Sequence, residues 1–208
     1  NEKNDFSTGK LFPMILRYSI PAAISLLITA IYNIVDRIYI ARIPHIGTAA
    51  LGAVGLCFPL VVIITAFANL FGSGGAPLFS ISRGQKRNKQ AVHIMNTSFT
   101  MVCFSAVVLM LIGLLFARPL LILFGASKDV LVYAFPYMMI YLIGTLPSMI
   151  AIGMNPFINA QGYSTIGMFS VAIGAVANLL LDPFFIFVLG FGVRGAAIAT
   201  VILSLIHI

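Results

Sequence analysis

Apolar residues fill this 208-residue chain in six long runs, near 13–41, 48–80, 91–117, 130–159, 166–190 and from 195 onward. Short polar stretches separate them. The runs are continuous and lack the period-two alternation of a barrel strand, so helices are predicted throughout. The longest uncharged stretch dictates a turn: residues 130–181 hold 52 positions without Asp, Glu, Lys or Arg. As one helix they would extend ~78 Å, more than twice a ~30 Å hydrocarbon core, so the stretch doubles back. Asn155-Pro156 and Gln161-Gly162, within NPFINAQGYS (155–164), are the expected breakers.

Composition sharpens this pattern into a class. Hydrophobic residues make up 61% of the chain and charged residues 8%, with a mean hydropathy of +1.09, against roughly 25% charged in soluble domains. The reading is an all-α, polytopic membrane helix bundle, with 1–12 as an amino-terminal segment and 13–208 as a membrane lobe of about six helices. Only 14 residues follow Arg194, short of the ~20 that cross a bilayer, so the sixth span is expected to be truncated.

The net charge of +7 does not indicate a nucleic-acid partner. The basic residues sit near the ends of the apolar runs and form no face with aromatic platforms, which is the pattern of membrane topology. RGQKRNK (83–89) carries four basic residues and no acid; with Lys3, Lys10 and Arg17, one side holds seven of the twelve Lys and Arg residues. By the positive-inside rule the amino terminus is then cytoplasmic. NEKNDFSTGK carries both signs of charge and no small-residue cleavage site, so no removable signal peptide is expected. Cys57 and Cys103 lie in apolar runs and suggest neither a disulfide framework nor a metal site.

Of the five acids, Glu2 and Asp5 lie at the terminus and Asp129 in a loop, which leaves Asp36 and Asp182 within spans. An acid at the centre of a spanning helix costs ~2.5–3.5 kcal/mol on insertion scales and marks function. Asn178 and Asp182 are four apart and share a helix face, as do Tyr32 and Asp36. Pro183 cannot donate to the carbonyl of Leu179, which frees that oxygen for water, a hydroxyl or an ion. With Thr200 at the start of the sixth run, these residues form a candidate oxygen cage for a proton or a small hard cation. The alternatives are a structural ion pair made through the neighbouring Arg37, packing of Asp182 against Asn178 alone, and a threonine bonded to its own helix.

Other features are less specific. Pro21 is expected to bend the first span. GSGGAP (72–77) reads as a close-packing device. Tyr133, Tyr137 and Tyr141 make a stripe suited to packing or to facing a flat cationic ligand.

The pieces YNIVDRIYIAR, GSGGAPLFSISRGQKRNKQA, NPFINAQG, and NLLLDPFFIF followed by GVRGAAIAT, in this order, resemble the multidrug and toxic compound extrusion (MATE) transporters, in particular the DinF-like branch. The resemblance covers essentially the whole chain. It implies the six-helix amino-terminal lobe of a twelve-helix carrier whose carboxy-terminal lobe is missing here. It further implies a membrane-embedded antiporter in a prokaryotic inner membrane, without a cofactor, that expels small organic cations or amphipathic drugs in exchange for H+ or Na+. In the resemblance Asp36, Asn178, Asp182 and Thr200 match the cation- or proton-coupling residues and the place of a Na+. Tyr32 and Tyr137 match the substrate cavity, and Pro21 the bending proline. A lipid-linked precursor flippase of the same superfamily would need basic residues in its groove, and the central spans offer almost none. A non-transporting membrane lobe is the further alternative. An intramembrane aspartyl protease would show Gly-x-Gly-Asp, which neither Asp36 nor Asp182 has, so no enzyme is expected.

Overall fold

The structure, a computed structural model, describes residues 11–206. The predicted segment 1–12 therefore lies almost wholly outside the described residues. The described chain is helical: α1 (Leu11–Ala41), α2 (Gly47–Gly84), α3 (Asn88–Leu123), α4 (Lys128–Ile143), α5 (Thr145–Ala160), α6 (Ser164–Pro183), a π-helical segment (Phe184–Val188) and α7 (Val193–Ile206). Among the described residues four spans are long and apolar enough to cross a membrane singly, and α4 with α5 makes up to a fifth if the bent pair counts as one. This is the polytopic bundle expected from hydropathy. Of α7, Val193–Leu205 is a shorter apolar helix.

The span near 130–159 is not one straight rod. It breaks at Gly144 and bends by 58°. Pro147 explains the break: it has no N–H for the carbonyl of Ile143 and its ring clashes there, yet it is tolerated in the first turn of α5. Gly144 lets α7 in, since a Cβ at this position would stand 2.4 Å from a Val201 methyl. The expected turn falls within NPFINAQGYS, at the second of its two breakers. The helix runs through Asn155 and Pro156 to Ala160, and the chain reverses at Gln161–Tyr163. Gly162 takes the left-handed conformation the turn requires, at φ 86°. Asn155 instead accepts a bond from the side chain of Asn159, at 3.1 Å.

The core lies among α2, α3, α4, α5 and α7, around Cys57, Ile64, Val102, Met138, Leu142, Met149 and Ala197. GSGGAP is the close-packing device read from its composition. A Cβ at Gly72 would lie 2.4 Å from the Gly153 carbonyl oxygen on α5, and one at Gly75 would meet Ser98 and Phe157. Small residues bring backbones into such contact, which replaces the hydrophobic drive that lipid cannot supply.

α1 sits outside this core and packs chiefly along α6. Its outward face carries Leu26, Leu27 and Ile31, all exposed, as suits a helix wetted by lipid. Its polar positions are bonded within the helix: Ser25 donates to the carbonyl of Pro21 at 2.9 Å, Thr29 to that of Ser25 at 2.9 Å, and Asn33 to that of Thr29 at 2.7 Å. Pro21 lies inside an unbroken helix, and its missing N–H leaves the Arg17 carbonyl without a donor one turn back.

Candidate functional site

The α1–α6 seam brings the two membrane acids together. Asp36 reaches inward from α1, and Asp182 stands near the end of α6, 1% exposed, beside Asn178 at 2%. The carboxyl groups face each other within hydrogen-bonding reach. The Asn178 amide donates to Asp182 Oδ1 at 3.2 Å. Oδ2 of Asp182 and Oδ1 of Asp36 are buried with no partner.

Buried polar atoms without a partner are uncommon and call for a cause. Two ionised carboxylates at this distance repel, and neither can donate to the other. A proton or a cation between them satisfies both oxygens at once. The surrounding chemistry suits a hard cation: two carboxylates lie together, and Asn178 holds one of them through its NH2. Among the described residues no cluster of three or more His, Cys, Asp or Glu side chains forms.

Tyrosines enclose the pair. Tyr32, one turn before Asp36, and Tyr137, buried on α4, both lie within electrostatic reach of Asp36 and Asp182. Tyr141 stacks on Tyr137 with ring centroids 6.4 Å apart, and Tyr32 lies within electrostatic reach of Tyr141. Tyr137 is thus the member of the stripe within reach of both acids, while Tyr133 is only half-buried. Cys57 sits at the back of this wall, with Sγ donating to the Ala134 carbonyl at 3.6 Å.

Two sequence readings turn out differently in detail. Arg37 places its guanidinium over the Phe58 ring, 5.5 Å from its centroid, so the ion pair considered for Asp36 does not form. Thr200 donates to the carbonyl of Ala196 at 3.0 Å, within its own helix; its hydroxyl proton is thereby committed, and only the lone pairs of its oxygen face outward from that bond. Asp36, Asn178, Asp182, Tyr32 and Tyr137 gather, and Thr200 stands on the adjoining α7. Pro21 lies about four turns from Asp36 along α1, at 3.6 residues per turn.

A polar contact not foreseen in the sequence joins α5 to α7. Ser148 and Ser204 share a 2.7 Å hydrogen bond, both buried, and Ser204 also approaches the Thr200 carbonyl at 2.9 Å. Lone serines in apolar runs carry no periodic signal, so only the tertiary structure pairs them.

The MatE family profile matches residues 21–184. Among curated proteins, the multidrug export protein MepA of Staphylococcus haemolyticus is 27% identical over 95% of this chain and 43% of its own length. An FAD transporter of Shewanella oneidensis is 27% identical over 90% of this chain and 42% of its own. Among solved structures, the outward-facing conformation of a multidrug resistance MATE family transporter superposes with a TM-score of 0.87 at 28% identity, covering 93% of this chain and 42% of that one. A MOP superfamily transporter from Pyrococcus furiosus superposes with a TM-score of 0.86 at 28% identity over 93% of this chain. These relatives are transporters rather than enzymes, and the chain spans less than half their length. On the extent of the profile match and the shared helical architecture, the chain belongs to the MatE family of membrane transporters.

Proposed function

We propose that this chain is the amino-terminal lobe of an H+- or Na+-coupled antiporter that exports cationic or amphipathic organic compounds across a prokaryotic inner membrane, with its amino terminus in the cytoplasm. The observation that carries this reading is the pair Asp36 and Asp182, each of which keeps one oxygen buried without a donor. When ionised, the pair attracts an organic cation or Na+. Proton or Na+ uptake cancels that attraction, so cargo and coupling ion favour different states, as coupled exchange requires. Asn178 orients Asp182 through their 3.2 Å bond. Tyr32 and Tyr137 offer aromatic faces to a flat cation. Thr200 adds an oxygen from α7 to the Na+ site. Pro21, with its broken backbone ladder, is the hinge on which α1 changes shape.

One relative is an FAD transporter, so the cargo differs within the family. Efflux by the intact carrier in everted vesicles tests the coupling. Asp182→Asn is expected to abolish efflux driven by a pH or Na+ gradient; unchanged gradient-driven efflux in that variant would remove the acids from the mechanism.

A further inference from the structure

A groove of about 540 Å³ opens between α4 and α7, away from the acid pair. It is lined by Leu131, Val132, Phe135, Pro136, Met139 and Ile140, with Arg194 as the one charged residue. The six α4 residues fall at i, i+1, i+4, i+5, i+8 and i+9, a single stripe along one helix face. From Leu131 to Ile140 the stripe is roughly 14 Å long at 1.5 Å per residue, close to half of a ~30 Å hydrocarbon core. The groove therefore matches the depth of one leaflet.

Arg194 stands in the first turn of α7, at the end of the bundle where α4 also begins with Lys128 and Asp129. It is exposed and has no ion-pair partner among the described residues. An unpaired guanidinium at the mouth of an apolar, leaflet-deep channel is complementary to one kind of molecule. Its acyl part would fill the stripe, and its phosphate would take the bidentate bonds that guanidinium offers. We propose that the α4–α7 groove is a binding site for an anionic phospholipid, with the headgroup phosphate on Arg194 and an acyl chain along Leu131, Phe135 and Met139. A zwitterionic lipid has the same tails but offsets the phosphate with its own cation, so the site discriminates by headgroup charge. A zwitterionic lipid bound equally well would be the alternative outcome.

These 208 residues contain no tryptophan, so an introduced one is the single probe within them, and its signal is read as the difference from the parent protein without it. Phe135→Trp puts the probe in the groove. Leu115→Trp puts it on the 76% exposed lipid face of α3, at similar depth, because α3 and α4 meet at the same end of the bundle. In nanodiscs containing brominated phosphatidylglycerol or brominated phosphatidylcholine, quenching of the probe at position 135 is expected to favour the anionic lipid about fivefold, the contribution of one basic residue near the surface. Quenching at position 115 is expected to show no preference. Adding Arg194→Gln is expected to abolish the preference, and Arg194→Lys to retain part of it. Met139→Trp gives a second reading in the same groove if the first variant reconstitutes poorly. Equal quenching by both lipids at position 135, or a preference that survives Arg194→Gln, overturns the proposal.

Discussion

The α2–α5 contact and the α1–α6 seam are built by opposite means. At the first, Gly72 and Gly153 bring two backbones so close that a Cβ would stand 2.4 Å from a carbonyl oxygen. At the second, α1 leans chiefly on one neighbour, keeps much of its surface exposed, and brings a carboxyl group to meet another. The glycine contact gains dispersion from close fit. The seam sets two acidic side chains in a low dielectric, a costly placement that the proposed coupling role would explain. Rigidity and chemistry are thus assigned to different helix pairs.

Substitutions at three places put that division to the test. The largest expected effect is at the glycine contact: Gly72→Val forces a side chain into the α5 backbone, which cannot rotate away, and should lower stability by about 3 kcal/mol. Unfolding in SDS followed by circular dichroism measures it, and a near-neutral result would show that α2 and α5 separate easily. A smaller loss is expected at the hydroxyl pair. Ser148→Ala and Ser204→Ala should each cost about 1 kcal/mol, with a coupling of ~0.6 kcal/mol in a double-mutant cycle. The smallest change in stability is expected at the seam. Asp36→Asn removes a buried charge and should leave the SDS midpoint unchanged or raised, while ion-driven efflux by the intact carrier falls to background. Destabilisation by Asp36→Asn comparable to that at Gly72 would make the acids structural and erase the contrast.

What can be read from residue order alone follows the same division. Asp36 and Asp182 stand out because an acid in lipid is costly and few reasons retain it. Asn178 and Tyr32 follow from helical spacing alone. GSGGAP is legible as a packing element, though not its partner Gly153, because a glycine in an apolar run does not say which backbone approaches it. The bend at Gly144 is concealed because hydropathy is blind to backbone geometry, although Gly144 and Pro147 are its physical causes. Of the two expected breakers, Gln161-Gly162 makes the turn and Asn155-Pro156 does not, because a left-handed glycine decides it and a proline inside a helix does not by itself end one. The pairing of Ser148 with Ser204 depends on how α5 and α7 are rotated about their axes, which short polar residues in apolar helices do not encode.

The ladder from Pro21 through Ser25 and Thr29 to Asn33 has a mechanical meaning. Each of these three side chains finds its acceptor one turn back on the same helix, so none of those bonds anchors α1 to a neighbour. When α1 slides or tilts against α6, the three bonds travel with it intact. The resistance to such movement then falls on the apolar contacts along α6 and on the meeting of Asp36 with Asp182.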